Sequence, residues 1–213
     1  MLMLVSGATA TRRKVLSKHL GCLIVPGSGN VPFNGWWGAD NGAFTGFDAE
    51  SFLAMLERLR AFDYAYRRCV FVAAPDVLER RPDGSVVGNA AKTLEKFARW
   101  AIVIRAFGFP VALVAQDGLT IEATPWIEMD ALFIGGSTEW KLGPEAEALA
   151  REAKRNRKWV HMGRVNTKKR FRHAERIGCD SVDGTFFSRW PDKAIPKGLA
   201  WMEEHRQQPQ LAL

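Results

Sequence analysis

The chain has 213 residues, of which 47% are hydrophobic and 25% are charged, a composition typical of a globular protein with a core of ordinary size. Three dispersed cysteines (Cys22, Cys69 and Cys179) form no Cys-x-x-Cys pair, so we expect no disulfide framework and no structural zinc, and we predict a reducing, cytoplasmic location. We find no signal-peptide pattern and no apolar run of about 18 residues, and we therefore expect neither secretion nor membrane spanning.

The charge balance favours a polyanionic partner. Thirty lysines and arginines against 23 aspartates and glutamates give a net charge of +7 and an isoelectric point near 9.6. Basic surfaces gain affinity for nucleic acid by neutralising phosphates and releasing counterions. The basic residues cluster at 151–158 and 168–172, although each cluster is also compatible with a solvated helix face.

Eight short apolar runs predict β-strands, and helical periodicity fills most of the intervals between them. We expect the strands at residues 1–6, 23–25, 36–39, 69–74, 111–115, 131–134, 159–162 and 181–183. We expect helices at 11–20, 48–59, 89–107, 120–127, 144–154, 168–177 and 193–206. Residues 207–213 are interpreted as a C-terminal tail.

This alternation of apolar strands and helices indicates a parallel sheet. Eight units favour a compact, single-domain (β/α)8 barrel of the TIM type over residues 1–206, with an open doubly wound sheet as the alternative. In either fold, ligands bind beyond the carboxyl ends of the strands. Four predicted strands are followed there by polar residues, namely Asp40, Asp76, Gln116 and Asp183, which we expect to surround one ligand.

The order of the motifs around these residues resembles the tRNA-guanine transglycosylase superfamily. The motifs are Gly-Ala-Asp-Asn-Gly-Ala-Phe at 38–44, Ala-Pro-Asp at 74–76, Val-Ala-Gln-Asp-Gly at 114–118, Ile-Gly-Gly-Ser at 134–137, His-Met-Gly at 161–163 and Gly-x-Asp-x-x-Asp at 178–183. In particular, the chain resembles the short DpdA-type members, which act in deazapurine modification of DNA. The resemblance covers residues 36–185, most of the chain.

The resemblance implies exchange of guanine in a nucleic acid for a 7-deazaguanine base, through a covalent aspartyl-glycosyl intermediate. By motif, Asp183 matches the nucleophile and Asp40 the general acid/base. Asp76 and Gln116 match the groups that read the guanine edge, and Gly136 lies on the loop whose backbone meets the base. We further assign Asn41, Phe44, Gly135 and His161 to substrate binding, and Arg164, Lys168, Lys169, Arg170 and Arg189 to nucleic-acid binding.

The chemistry of these residue types agrees with that role. A glycosidic bond breaks through a cation-like transition state, which a carboxylate can stabilise or capture as a covalent adduct. A second carboxylate can carry the proton that a departing or arriving base gains or loses. Guanine presents two adjacent N–H donors to a carboxylate, and its O6 accepts from an amide.

Each assignment also has a structural alternative. Asp183 and Asp40 would cap turns, Asp76 would cap the segment that follows it, and Gln116 would satisfy the backbone of a loop. His161 is equally compatible with a packed, hydrogen-bonded histidine.

The chain departs from the tRNA enzymes of the superfamily in one respect. Those enzymes carry a zinc-binding segment after the nucleophile strand, whereas no cysteine follows Asp183 here. We therefore expect no metal, no cofactor and no zinc subdomain, and we favour DNA over tRNA, with accessory DNA-modification proteins as further partners and host cytoplasm as the location of a phage-encoded enzyme. The alternatives are the same chemistry on tRNA, a non-catalytic nucleic-acid-binding barrel, and a barrel that hydrolyses an N-glycosidic bond.

Overall fold

The computed structural model describes residues 1–7, 9–15, 17–32, 35–62 and 65–207. The strands are β1 (Leu2–Ser6), β2 (Leu20–Ile24), β3 (Trp37–Ala39), β4 (Cys69–Ala73), β5 (Leu78–Arg80), β6 (Val86–Gly88), β7 (Val111–Ala115), β8 (Ala131–Ile134), β9 (Trp159–Met162) and β10 (Ser181–Asp183). The α-helices are α1 (Thr9–Lys14), α2 (Ala49–Arg60), α3 (Ala65–Arg68), α4 (Ala90–Ala106), α5 (Thr138–Lys141), α6 (Pro144–Arg155), α7 (Lys168–Arg176), α8 (Thr185–Arg189) and α9 (Pro191–Gln207).

Eight strands close into a parallel barrel, which confirms the predicted fold class. Their order around the barrel is β1, β10, β9, β8, β7, β4, β3 and β2, and β2 pairs with β1 to complete the ring. Leu4 of β1 is opposite Asp183 of β10 on one side and opposite Gly21 of β2 on the other. Because every barrel strand runs in the same direction, the residues that follow all eight strands emerge at one end.

The apolar side chains divide into two layers, as the alternation of a strand requires. One layer fills the barrel interior and includes Leu4, Phe71 and Phe133. The larger layer lies between the barrel and the surrounding helices, where Val5 of β1 and Phe97 of α4 belong to one continuous cluster. The strands are therefore buried on both faces, which explains why their sequences read as continuous apolar runs.

Polar N-cap side chains fix the starts of several helices. Asp48 accepts from the backbone N–H of Glu50 at the start of α2, and Asn89 accepts from Lys92 N–H at the start of α4. Thr167 accepts from Arg170 N–H and begins α7. These caps determine where each loop from the barrel mouth turns into a helix.

Two of the predicted helices, at 120–127 and 11–20, differ from the structure. The segment predicted as helix at 120–127 forms turns, because Thr124 Oγ1 donates to Thr120 O, Trp126 Nε1 donates to Ile121 O, and Pro125 has no N–H to continue a helix. The helix predicted at 11–20 covers Thr9–Lys14 instead. Leu20 belongs to β2, because its backbone pairs with Met3 of β1.

The C-terminal part of the described chain contains α8 and α9 after Asp183. Helix α9 includes Gln207, the first residue of the predicted tail, and residues 208–213 lie outside the described residues. Among the residues described, no helix combines the length and hydrophobicity needed to cross a membrane.

Candidate active site

A cavity of about 400 Å³ opens at the carboxyl ends of the barrel strands. Asp40, Asp76, Gln116 and Asp183 all line it, so the structure brings together the four groups that the sequence placed at strand ends. The cavity floor is apolar and includes Leu4 from the barrel interior. The site therefore combines an apolar floor with a ring of polar groups, as small-molecule pockets commonly do.

Asp183 is the last residue of β10, and two donors hold its carboxylate. His161 Nε2 lies 2.8 Å from Asp183 Oδ2, and the backbone N–H of Arg164 donates to Asp183 Oδ1 over 3.3 Å. The side chain remains 15% exposed, so one side of the carboxylate faces the cavity. Asp180, the neighbouring carboxylate, points away and pairs with Lys154 at 2.7 Å.

His161 supports Asp183 from beneath the cavity rather than binding substrate. It is fully buried and does not line the cavity, which corrects its assignment as a substrate-binding residue. Its ring lies 4.8 Å from Phe71 and 4.5 Å from Phe133 between ring centroids. Its Nδ1 atom is 2.8 Å from Ser181 Oγ, which accepts from Trp159 Nε1. A neutral imidazole can therefore accept from Ser181 and donate its Nε2–H to Asp183.

Asp40 follows β3 and faces two other carboxylates. Burial raises its pKa to about 6, and the negative charges of Asp183 and Asp76 contribute to the rise. The backbone N–H groups of Asn41 and Gly42 donate to Asp40 Oδ1 and oppose the rise in pKa. A carboxyl group with such a pKa exchanges a proton readily near neutral pH.

Asp76 and Gln116 form one hydrogen-bonded unit. Gln116 Nε2 donates to Asp76 Oδ2, and Asn41 Nδ2 donates to Asp76 Oδ1 over 2.9 Å. Burial raises the pKa of Asp76, and these two amide donors oppose that rise. Each carboxylate oxygen keeps a second lone pair, so Asp76 can still accept from two adjacent donors of a ligand.

Asn41 lines the cavity, but its polar atoms contact the protein. Besides Asp76, its Nδ2 donates to Ala74 O over 2.8 Å, and its Oδ1 accepts from Ala43 N–H. Asn41 therefore orients Asp76, and its role in substrate binding stays a prediction.

The Gly135–Gly136 turn forms one wall of the cavity. Gly136 has a φ of 62°, and its N–H donates to Gln116 Oε1. Its carbonyl accepts from the Arg164 guanidinium. The turn thus aligns Gln116, and both backbone polar groups of Gly136 are bonded within the protein.

Phe44 and Arg164 lie together at the mouth of the cavity. The Arg164 guanidinium carbon is 5.7 Å from the centroid of the Phe44 ring, a cation–π distance, and both side chains line the cavity. Phe44 is 66% exposed, so its ring is available to stack on a planar ligand. Arg164, predicted to contact nucleic acid, is also part of the pocket wall.

The other predicted nucleic-acid residues follow β9 and β10. Arg170 donates to Arg164 O and to Thr138 Oγ1, which places it beside the mouth. Lys168 pairs with Glu204 at 2.5 Å, and Lys169 and Arg189 are exposed. The structure thus brings two of the five residues, Arg164 and Arg170, to the site by direct contacts.

Sequence reasoning missed the antiparallel hairpin of β5 and β6, which contributes Leu78, Val86 and Gly88 to the cavity. A Cβ at Gly88 would lie 2.0 Å from Gln116 Oε1, so only glycine allows this close approach. The signal was the Pro-Asp-Gly turn at 82–84 followed by the β-branched Val86 and Val87, which is typical of a hairpin.

No protein-family model matches the chain, and no curated protein matches it significantly. The family resemblance and the roles derived from it therefore stay predictions.

Proposed function

We propose that the protein is a pentosyltransferase that exchanges guanine in DNA for a 7-deazaguanine base such as 7-cyano-7-deazaguanine. The observation that carries this proposal is the shared cavity, in which Asp183, Asp40 and the Asp76–Gln116 unit face one base-sized space. A barrel with strand-end carboxylates at its mouth is a common enzyme architecture. These contacts and the resemblance of the motifs support the proposed chemistry.

Asp183 acts as the nucleophile. One carboxylate oxygen forms a bond to the anomeric carbon of the target nucleotide, while the carbon–nitrogen bond breaks and guanine leaves with the electron pair. His161 contacts Oδ2 and the Arg164 N–H contacts Oδ1, so the two groups together fix the orientation of the carboxylate. Both are positioning groups in this scheme.

Asp40 carries the proton. Its pKa of about 6 leaves a protonated fraction that delivers a proton to the departing guanine, and the resulting carboxylate then removes the ring N–H proton of the incoming base. The deprotonated nitrogen attacks the anomeric carbon and Asp183 leaves as a carboxylate. One base enters, one departs, and Asp40 regains its proton.

Asp76 and Gln116 select the base. The free lone pairs of Asp76 accept from the two adjacent N–H groups of a guanine-like edge, and the second Gln116 N–H donates to the base oxygen. Phe44 stacks on the ring at the mouth. Both guanine and 7-deazaguanine present this edge, so one pocket serves the departing and the arriving base.

DNA is favoured over tRNA because the motifs at 36–185 resemble those of the DpdA-type members, which act in deazapurine modification of DNA. Arg164 and Arg170 at the mouth can contact phosphates next to the target nucleotide.

The test is base exchange in vitro, followed by mass spectrometry of nucleosides from duplex DNA or tRNA incubated with 7-deazaguanines. We expect incorporation into DNA by the wild type, none by Asp183→Asn, and full incorporation by the matched control Asp180→Asn, whose carboxylate pairs with Lys154 away from the site.

Incorporation by Asp183→Asn would remove the nucleophile from the scheme. Incorporation into tRNA alone would replace the substrate, and release of guanine without any added base would indicate a hydrolase. Salt-sensitive DNA binding that survives loss of Asp183 and Asp40, without any exchange, would indicate a non-catalytic barrel.

A further inference from the structure

A buried lysine lies behind the site and has no part in the scheme above. Lys141 is the last residue of α5, and its side chain is fully buried. Its Nζ donates to Gly163 O over 2.7 Å. Lysines are rarely buried without a partner, because removing the amino group from water costs free energy. The burial of Lys141 therefore calls for a structural or functional reason.

The acceptor of Lys141 belongs to the peptide group that contacts Asp183. The carbonyl of Gly163 and the N–H of Arg164 are the two ends of one peptide unit. Its oxygen accepts from Lys141, and its N–H donates to Asp183 Oδ1 over 3.3 Å. The positive end of the peptide dipole therefore faces the Asp183 carboxylate and its negative end faces the Lys141 amino group, and hydrogen bonds in such a chain strengthen one another.

The hydrogen bond from Lys141 to Gly163 O also supports a strained backbone conformation at Arg164. Arg164 has a φ of 59°, a left-handed conformation that non-glycine residues rarely adopt. Lys141 fixes the peptide before Arg164, Arg170 donates to the carbonyl after it, and Val165 N–H donates to Asp183 O over 2.6 Å. A Cβ at Gly163 would lie 2.8 Å from the Phe133 ring, so the loop also needs glycine there.

We propose that Lys141 is a positioning residue for Asp183, acting through the Gly163–Arg164 peptide group to orient the carboxylate. Its effect on rate rests on the proposed function, whereas its effect on the Asp183 hydrogen bond does not.

The charge of Lys141 is expected to vary near neutral pH. Burial lowers its pKa to about 7, and the positive charges of Arg164 and Arg170 contribute, while Asp183 and Asp117 oppose the change. His173 Nε2, 3.2 Å from Lys141 O, is a further titratable contact, on α7. The peptide is therefore polarised most strongly below pH 7, when the amino group is protonated.

Nuclear magnetic resonance of the ligand-free protein tests the hydrogen-bond chain. Across pH 5.5 to 8.5 we expect the chemical shift of the Arg164 amide proton to follow the titration of Lys141 Nζ, with a midpoint near 7. Lys141→Gln keeps a hydrogen-bond donor but no charge, and Lys141→Met keeps neither. Both variants should therefore abolish the pH-dependent change in the chemical shift of the Arg164 amide proton.

Persistence of this change in Lys141→Gln, or an Arg164 amide that does not follow Lys141 in the wild type, would overturn the proposal. If Lys141→Met does not fold, the wild-type and Lys141→Gln titrations decide the result.

Exchange kinetics supply the second readout. At pH 6 we expect Lys141→Met to slow single-turnover exchange about tenfold, with KM for the base little changed, and the ratio to wild type to shrink by pH 8. Lys154→Met removes a surface lysine on α6 and should exchange at the wild-type rate. An equal loss at both pH values would contradict the role of the Lys141 charge. A wild type without any exchange would refute the proposed function, and the titration would still decide the role of Lys141.

Discussion

Replacing Asp40 by asparagine should stabilise the protein at neutral pH. Asp40 has a folded-state pKa of about 6, against an ordinary value of 3.8, because it is half-buried and lies beside two carboxylates. A rise of that size corresponds to about 3 kcal/mol of folding free energy. Since the folded state holds the proton more tightly, stability falls as pH rises from 3.8 to about 6, and the full cost is present at pH 7.5.

Asparagine keeps the oxygen that accepts from Asn41 N–H and removes the charge. Urea unfolding at pH 7.5 should therefore show a gain of up to about 3 kcal/mol for Asp40→Asn, and the gain should shrink toward zero at pH 4. Base exchange should be lost in the same variant. The trade of stability for activity is typical of active-site charges.

Asp48→Asn is the matched control. Asp48 is an exposed N-cap whose pKa is lowered by Ser51 and the Glu50 N–H, so its contribution to stability is present at neutral pH and is lost as pH falls. This variant should not be stabilised at pH 7.5. A destabilised Asp40→Asn, or a gain that is the same at pH 4 and pH 7.5, would refute the electrostatic reasoning.

Three further substitutions probe the site. Gly88→Ala places a methyl group 2.0 Å from Gln116 Oε1 and should weaken guanine binding at least about tenfold in calorimetry; unchanged affinity would exclude Gln116 from base recognition. His161→Leu removes a donor to Asp183 and should slow single-turnover exchange by about ten- to a hundredfold at unchanged KM; a pure KM effect would argue against a positioning role. Phe44→Ala should weaken base binding about tenfold without changing the urea midpoint, since its ring is 66% exposed; a lower midpoint would assign Phe44 to packing instead.

The barrel could be predicted from the sequence because its strands are buried on both faces and read as short apolar runs. The periodicity of the sequence cannot show whether the sheet closes into a barrel, because closure depends on the pairing of β1 with both β2 and β10, which are distant in sequence from one another. The polar residues at the strand ends could be predicted for a simple reason. Asp40 and Asp183 each follow such a run, and parallel strands bring their carboxyl ends together.

The connections between the site residues could not be predicted in this way. The bond from Gln116 to Asp76 spans 40 positions of sequence, and the buried environment of Lys141 depends on a loop 22 positions away. The sequence around Gln116 or Lys141 does not differ from the sequence around an exposed glutamine or lysine. The hairpin that carries Gly88 is different, because its Pro-Asp-Gly turn at 82–84 is a local signal that the sequence contains.

The most direct test of the central claim is to locate the covalent intermediate. Duplex DNA is incubated with the wild-type protein without an incoming base, the mixture is quenched with acid, and the protein is digested and mapped by mass spectrometry. We predict a glycosyl-linked nucleotide on the peptide that contains Asp183, and its disappearance when a 7-deazaguanine is added before the quench. An adduct on Asp40 instead, or base exchange that proceeds with no adduct on any peptide, would contradict the account.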